Sequence, residues 1–245
     1  MTMNFAIDIF VDSANIDEML EFSSKPYVKG FTTNPTLMKK AKVNDYILFI
    51  KEVCEYLNDY SISFEVISDD FNSMYEEAKE ISSCGQNIFV KIPIVDSKGN
   101  YSTHIIKKLQ QEGVNVNVTA ILFSKQIEVI VEALQSKNYV SIFAGRIADL
   151  GIDPIPEIIN AIKLVRKFSL ETKVIWASTR EIFNIVQASK CACDIITVTP
   201  DILKKAEQLI GTDPFDYSIK TVKQFEDDAR SCGYSLINKN KVLEQ

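Results

Sequence analysis

Eight times along the chain, a short run of apolar strand formers gives way to a segment whose apolar residues recur at helical spacing. The strand-like runs begin near Ala6, Val28, Ser61, Asn87, Val114, Tyr139, Lys173 and Asp194. The helix-period segments that follow them span 15–22, 35–57, 72–83, 102–112, 124–136, 154–168, 179–189 and 200–209. Runs such as Asp194–Thr199 (DIITVT) are dense in β-branched residues, which fit a pleated, packed surface. Parallel strands need a crossover between them, and a helix after every strand supplies it. The pattern therefore predicts an α/β fold, a single (β/α)8 TIM barrel, with an open doubly wound sheet as the alternative. No Pro/Gly-rich linker interrupts it, so residues 1–245 are expected to form one barrel domain. The surplus is an additional C-terminal helix near Tyr217–Ser231, expected to cover the barrel or reach a neighbouring subunit, and a polar end at Ile237–Gln245.

In such a barrel, functional residues gather where strands end and loops begin. In Asn87–Pro93 (NIFVKIP), the apolar residues predict a strand buried on both faces, yet Lys91 stands in its middle. A lysine there is either an edge-strand gatekeeper or an amine tuned by desolvation into a nucleophile. Its strand is fourth of eight, which favours the nucleophile. Asp12 ends the first strand; Asn15 with Glu18 already resembles a capping box, so Asp12 is free to be a base. Glu65 lies between Phe64 and Val66, where a carboxylate is costly unless paired or functional. On the fifth strand Asn115, Asn117 and Thr119 share one face and valines the other, which turns the polar face toward the barrel interior. Asn34, before Pro35, reads first as a helix N-cap.

The sixth run ends in Ser141, Phe143, Gly145 and Arg146, and the seventh in Ser178, Thr179 and Arg180 at a helix start. Only four of the 27 basic residues are arginine, and two of them stand just past neighbouring strands. Guanidinium forks suit phosphate, and a helix N-terminus after strand seven is expected to add N–H donors. A surface ion pair is the plainer alternative for each arginine.

Net charge of −6 and a pI near 5.0 argue against a nucleic-acid partner. No stretch approaches the roughly 20 apolar residues of a membrane span, and MTMNFAIDIFVDS lacks the basic region of a signal peptide, so no membrane partner and a cytoplasmic location are expected. Five scattered cysteines fit reduced thiols, and Cys191-Ala-Cys193 reads as core rather than as a metal site. His104 is the single histidine, expected as a solvated helix residue, which leaves no material for a Ser-His-Asp triad or a multi-histidine metal centre. With no GxGxxG and no P-loop, the chemistry is expected to need neither cofactor nor metal.

Taken together, FVDSAN (10–15), GFTTNPT (30–36), FEVIS (64–68), VKIP (90–93), NVTAILFS (117–124), FAGRI (143–147) and ASTR (177–180) closely resemble the transaldolase family. The motifs keep the family's order from the first strand to the seventh, and the chain length is similar to the small transaldolases and their fructose-6-phosphate aldolase relatives. The resemblance implies that Lys91 forms a Schiff base with the C2 carbonyl of a ketose phosphate. Asp12 would exchange the C4 hydroxyl proton as the C3–C4 bond breaks or forms. Glu65 with Thr119 would manage the water of imine formation and hydrolysis. Asn34, Asn117 and Ser141 would hold the dihydroxyacetone end, and Arg146, Ser178 and Arg180 the phosphate; Thr33 and Phe143 join the implied substrate-binding set. The implied partners are sugar phosphates in the pentose phosphate pathway and other copies of the chain, as a homo-oligomer. Aldolase relatives carry glutamine, alanine and tyrosine where this chain has Glu65, Ser141 and Phe143, which places transaldolase ahead of aldolase. Trp176 departs from the family's small residue, and strand alternation puts it inward with Ser178, filling the barrel floor or narrowing the site. A non-catalytic sugar-phosphate-binding barrel is the remaining alternative.

Overall fold

The structure, a computed structural model, describes residues 5–134 and 137–234. Two compact units divide the chain, Met1–Lys205 and Ala206–Gln245. In the first, eight parallel strands close into a barrel in sequence order, which removes the open-sheet alternative. They are β1 Asp8–Asp12, β2 Val28–Thr32, β3 Ser61–Glu65, β4 Ile88–Pro93, β5 Val116–Ile121, β6 Tyr139–Ile142, β7 Lys173–Trp176 and β8 Ile195–Val198. The ring closes where β1 pairs with β8, Ile9 opposite Ile196.

The intervening helices are α1 Ile16–Ser23, α2 Pro35–Lys40, α3 Tyr46–Tyr56, α4 Phe71–Ser83, α5 Thr103–Gln111, α6 Lys125–Ile130, α7 Ala144–Asp149, α8 Pro154–Phe168, α9 Phe183–Lys190 and α10 Pro200–Leu209. In the second unit, α11 spans Pro214–Ser231 and starts on an Asp213 cap, three residues ahead of the sequence reading. The end at Ile237–Gln245 lies outside the described residues.

Helix starts follow side-chain chemistry. Asn15, Asn34, Asp45, Asp70 and Asp153 each accept a backbone N–H of the first turn, a cap worth about 1 kcal/mol. The expected capping box at α1 is half made. Asn15 accepts from the Glu18 amide, whereas the Glu18 carboxylate takes the Ser13 hydroxyl at 2.8 Å.

Some helix readings need correction. The segment 35–57 is two helices, because Lys42 takes a left-handed φ of 58°. The amide of Val43 bonds the Met38 carbonyl and that of Lys42 the Lys39 carbonyl, a Schellman end with lysine where glycine is usual. The segment 124–136 shortens to α6 plus a 3-10 turn, Val131–Ala133, with Gln135 and Ser136 outside the described residues. The short α7 has no counterpart in the sequence reading, since six residues carry too little periodicity to register.

Two apolar cores hold the barrel. The larger fills the space between strands and helices; the smaller plugs the barrel with Phe10, Phe89, Tyr139, Ile175 and Ile195. Phe89 stacks on Tyr139 at 3.9 Å between centroids, and Phe10 meets the same ring edge-on at 5.8 Å. The Tyr139 hydroxyl is satisfied by Ser61 Oγ at 3.0 Å. Gly30 keeps this plug closed, because a Cβ there would lie 2.7 Å from the Phe10 ring and 2.6 Å from the Ser61 carbonyl oxygen.

Side chains alternate along a strand, so the residue two positions on from each plug residue faces the same interior. That rule lifts Phe10 to Asp12, Phe89 to Lys91, Tyr139 to Ser141, Ile175 to Ala177 and Ile195 to Thr197. All five line one cavity at the C-terminal mouth. Trp176 falls on the other parity. It is 1% exposed and belongs to the outer core with Val174 and Ile196, so the inward placement expected for it is wrong.

Candidate active site

The cavity holds about 350 Å³, within the range of small-molecule sites. A depression of about 410 Å³ near Cys54, Cys84 and Asn87 adjoins the N-terminal starts of β3 and β4, the end of the barrel that serves stability rather than chemistry. The mouth cavity gathers Asp12, Asn34, Glu65, Lys91, Thr119, Ser141, Phe143, Arg146, Ser178 and Arg180, ten of the residues singled out from sequence.

Lys91 is at its centre and only 5% exposed. Register places Glu65 of β3 opposite it, and Nζ lies 2.8 Å from Glu65 Oε2. A second bond of 2.8 Å runs from Nζ to the carbonyl of Thr33. Lys91 is withdrawn from solvent, as its place in an apolar run predicts, and it has a carboxylate partner close enough to exchange a proton with it. Thr33 itself needs correction. Its hydroxyl donates to the Ser63 carbonyl and its side chain is absent from the cavity wall, so what it offers the site is backbone.

Asp12 is held from the side. Thr32 Oγ1 donates to Asp12 Oδ1 at 2.7 Å, and Thr197 Oγ1 lies 2.5 Å beyond. Burial pushes the Asp12 carboxyl above its ordinary range, against the opposing pull of Lys91 and the Thr32 hydrogen bond. Neither Thr32 nor Thr197 was found from sequence. The available signal was their inward parity with Gly30 and Ile195.

Thr119 sits beside a kink. Ala120 has φ of 60° and the β5–β6 register slips between Val118 and Ile121, a bulge of the kind that re-aims side chains near sites. The Thr119 hydroxyl is buried and has no protein partner among the described residues. Asn117 lies deeper than expected and off the cavity wall. Its amide donates to Ser63 Oγ at 3.0 Å, and its Oδ1 accepts from Ser141 at 2.8 Å. Asn34 lines the cavity while its Oδ1 caps α2 through the Leu37 amide.

Across the mouth, the Arg146 guanidinium lies 5.6 Å from the Phe143 ring centroid, and both residues border the cavity. Arg180 is not free. Its Nη2 meets Asp149 Oδ2 at 2.6 Å and its Nε meets Oδ1 at 3.3 Å, a pairing that holds Asp149 below the usual carboxylate range. The expected helix N-terminus after β7 also moves. α9 starts only at Phe183, and the amides of Arg180 and Glu181 are taken by Asn184 Oδ1 at 2.9 and 3.1 Å. A left-handed residue and a close approach shape this rim: Ser178 adopts φ of 65°, and a Cβ on Gly145 would lie 1.7 Å from the Ser178 carbonyl oxygen. The other two arginines serve structure, Arg166 bridging Asp194 and Arg230 bridging Glu226. His104 is solvent-exposed on α5, edge-on to Phe71, and takes no part.

Comparison with known proteins agrees with the geometry. The family model described as transaldolase/fructose-6-phosphate aldolase matches residues 9–245. A protein of Methanococcus maripaludis (strain C7) named "Probable transaldolase" is 36% identical over 196 residues, 80% of this chain and 87% of that one. A Thermoanaerobacter sp. (strain X514) protein of the same name is 32% identical over 227 residues, covering 93% of this chain and 99% of its own. Among solved structures, 3-hexulose-6-phosphate synthase from Salmonella typhimurium shares the fold with a TM-score of 0.55 at 14% identity, over 78% of this chain and 87% of that chain. With its barrel, its buried lysine and a match running nearly end to end, the chain belongs to the transaldolase/fructose-6-phosphate aldolase family.

Proposed function

We propose that the protein is a transaldolase that carries a dihydroxyacetone unit between sugar phosphates on Lys91. The observation that carries this reading is the buried Lys91 Nζ, 2.8 Å from a carboxylate, in a cavity that also holds a second carboxylate. Lys91 passes a proton to Glu65 and attacks C2 of a ketose phosphate, and loss of water leaves a protonated imine. That imine is an electron sink, so the C3–C4 bond breaks once Asp12 has taken the C4 hydroxyl proton. An aldehyde phosphate departs and the enamine stays on Lys91. A second aldehyde takes up the enamine's carbon, Asp12 returns its proton, and Glu65 with Thr119 directs the water that hydrolyses the new imine. The Thr119 hydroxyl supports that role, since it lines the cavity and no protein group among the described residues occupies its donor or acceptor sites.

Arg146, Ser178 and Arg180 bind the phosphate, which must draw Arg180 away from Asp149. Asn34 and Ser141 hold the hydroxyls of the three-carbon unit, Ser141 being oriented by Asn117 beneath it. The cytoplasmic location, the homo-oligomer and the place in the pentose phosphate pathway implied by the resemblance belong to the same proposal. Among the described residues no helix is long and apolar enough to cross a membrane.

A coupled assay with fructose 6-phosphate, run with and without erythrose 4-phosphate, tests the reading. Sedoheptulose 7-phosphate forms only with the acceptor, and little free dihydroxyacetone appears without it. Equal dihydroxyacetone release in both runs makes the protein an aldolase; no product in either leaves a binding barrel.

The rim gives a further prediction. Gly145→Ala forces a methyl group into the Ser178 carbonyl, so the loop bearing Ser178 and Arg180 must shift. Urea unfolding is expected to show a loss of about 2 kcal/mol, and KM for a phosphorylated substrate to rise about tenfold with a smaller change in kcat. An unchanged KM in the folded variant contradicts the placement of the phosphate at this rim.

A further inference from the structure

Thr197 of β8 has no part in the steps above, yet it ends a chain of hydroxyls that reaches Asp12. Thr32 Oγ1 stands between Thr197 Oγ1 at 2.5 Å and Asp12 Oδ1 at 2.7 Å. Thr32 has one hydroxyl hydrogen, and an ionised carboxylate can only accept. While Asp12 is ionised that hydrogen points at Asp12, and the short contact on the other side requires the Thr197 hydrogen to point at Thr32. In that state the chain runs one way, Thr197 to Thr32 to Asp12. Both threonines are buried, at 5% and 2% exposure, so bulk water does not compete for these bonds. β1 lies between the two strands, with Thr197 opposite Phe10 and Thr32 opposite Asp12, so the chain spans the seam that closes the barrel.

We propose that Thr197 is a positioning residue that, through Thr32, holds Asp12 ionised and aimed at the substrate hydroxyl. This rests on the reading of Asp12 as the proton-transfer group. Donation from Thr197 polarises the Thr32 hydroxyl and strengthens its bond to the carboxylate, and a bond to the charged form favours that form. Of the other groups facing Asp12, Lys91 on β4 and Asn34 after β2 favour the ionised form, while Glu65 on β3 and burial oppose it. β8 contributes Thr197. When Asp12 accepts the substrate proton it does so on Oδ2; the threonines keep their own protons throughout.

The test is the pH profile of kcat for the wild type, Thr197→Val, Thr197→Ser and Asp12→Asn, with thermal melting of each. Valine is nearly isosteric and removes the donor. It is expected to move the acid limb up by about one pH unit, cutting kcat about tenfold on that limb and under about twofold on the plateau. Serine is expected to restore the wild-type limb. If valine leaves the limb in place, or lowers kcat by one factor at every pH, Thr197 is only structural and the relay is refuted. Should the valine variant not fold, Thr197→Ala against Thr197→Ser asks the same question, with alanine shifting the limb and serine not. Wild-type kcat in Asp12→Asn, by contrast, removes the reading of Asp12 itself and the relay with it.

Discussion

Lys91→Met is expected to lower kcat by on the order of 10⁴-fold or more, because the amine that becomes covalently bonded to substrate has no substitute in the cavity. Methionine approximates the length of the lost chain and suits the apolar strand, so β4 keeps its packing. The electrostatics do not survive so well. Glu65 loses its ion-pair partner in a site where its side chain is 16% exposed, and the Asp12 carboxylate stands nearby in the same cavity. Removing one member of a mostly buried pair costs roughly 2–4 kcal/mol, so the variant is expected to unfold at lower urea concentration. Adding Glu65→Gln to Lys91→Met is expected to recover most of that stability and none of the activity. Residual activity above a tenth of wild type shows that the amine is not the nucleophile. Failure of the second substitution to restore stability shows that the pair is not what the first one broke.

Asp12→Asn is expected to reduce kcat by about 10²- to 10⁴-fold, since asparagine retains the acceptor for Thr32 but takes no proton. Its effect on stability has the opposite sign. The Asp12 carboxyl titrates above its ordinary value, mainly through burial, so the folded state binds that proton more tightly than the unfolded chain. The resulting stabilisation is fully present below the unfolded value of 3.8 and is lost as pH rises through the folded one. Above that folded value the wild type carries a carboxylate in this half-buried position that the variant lacks. Asp12→Asn is therefore expected to melt higher than wild type at pH 7, with the gap narrowing toward pH 4. A variant that is active, or that melts lower at pH 7, contradicts this account of Asp12.

The strands, and with them many side chains that line the cavity, were legible because alternation is local. Lys91 in an apolar run, Glu65 between two buried residues and Asp12 left over from capping each broke a local rule, and each lies in the cavity wall. Depth and contact were not legible. Asn117 has the right face, but pattern does not tell that Ser63 and Ser141 occupy its amide below the cavity. Thr32 and Thr197 are 165 residues apart and meet only because the barrel closes. Arg180 was read without its partner because Asp149 ends a helix too short to have been expected. Trp176 was placed by counting back from Ser178, and that count fails where the left-handed Ser178 backbone interrupts the pleat. Lys42 hid a helix end in the same way, by adopting a conformation its residue type disfavours.

Covalent capture tests the central claim most directly. The wild-type protein is reduced with borohydride in the presence of fructose 6-phosphate, and its peptides are mapped by mass. A three-carbon adduct on the peptide containing Lys91, absent from Lys91→Met treated alike, is the predicted result. Unmodified protein under conditions that label a known Schiff-base aldolase, or an adduct on any other lysine, contradicts it.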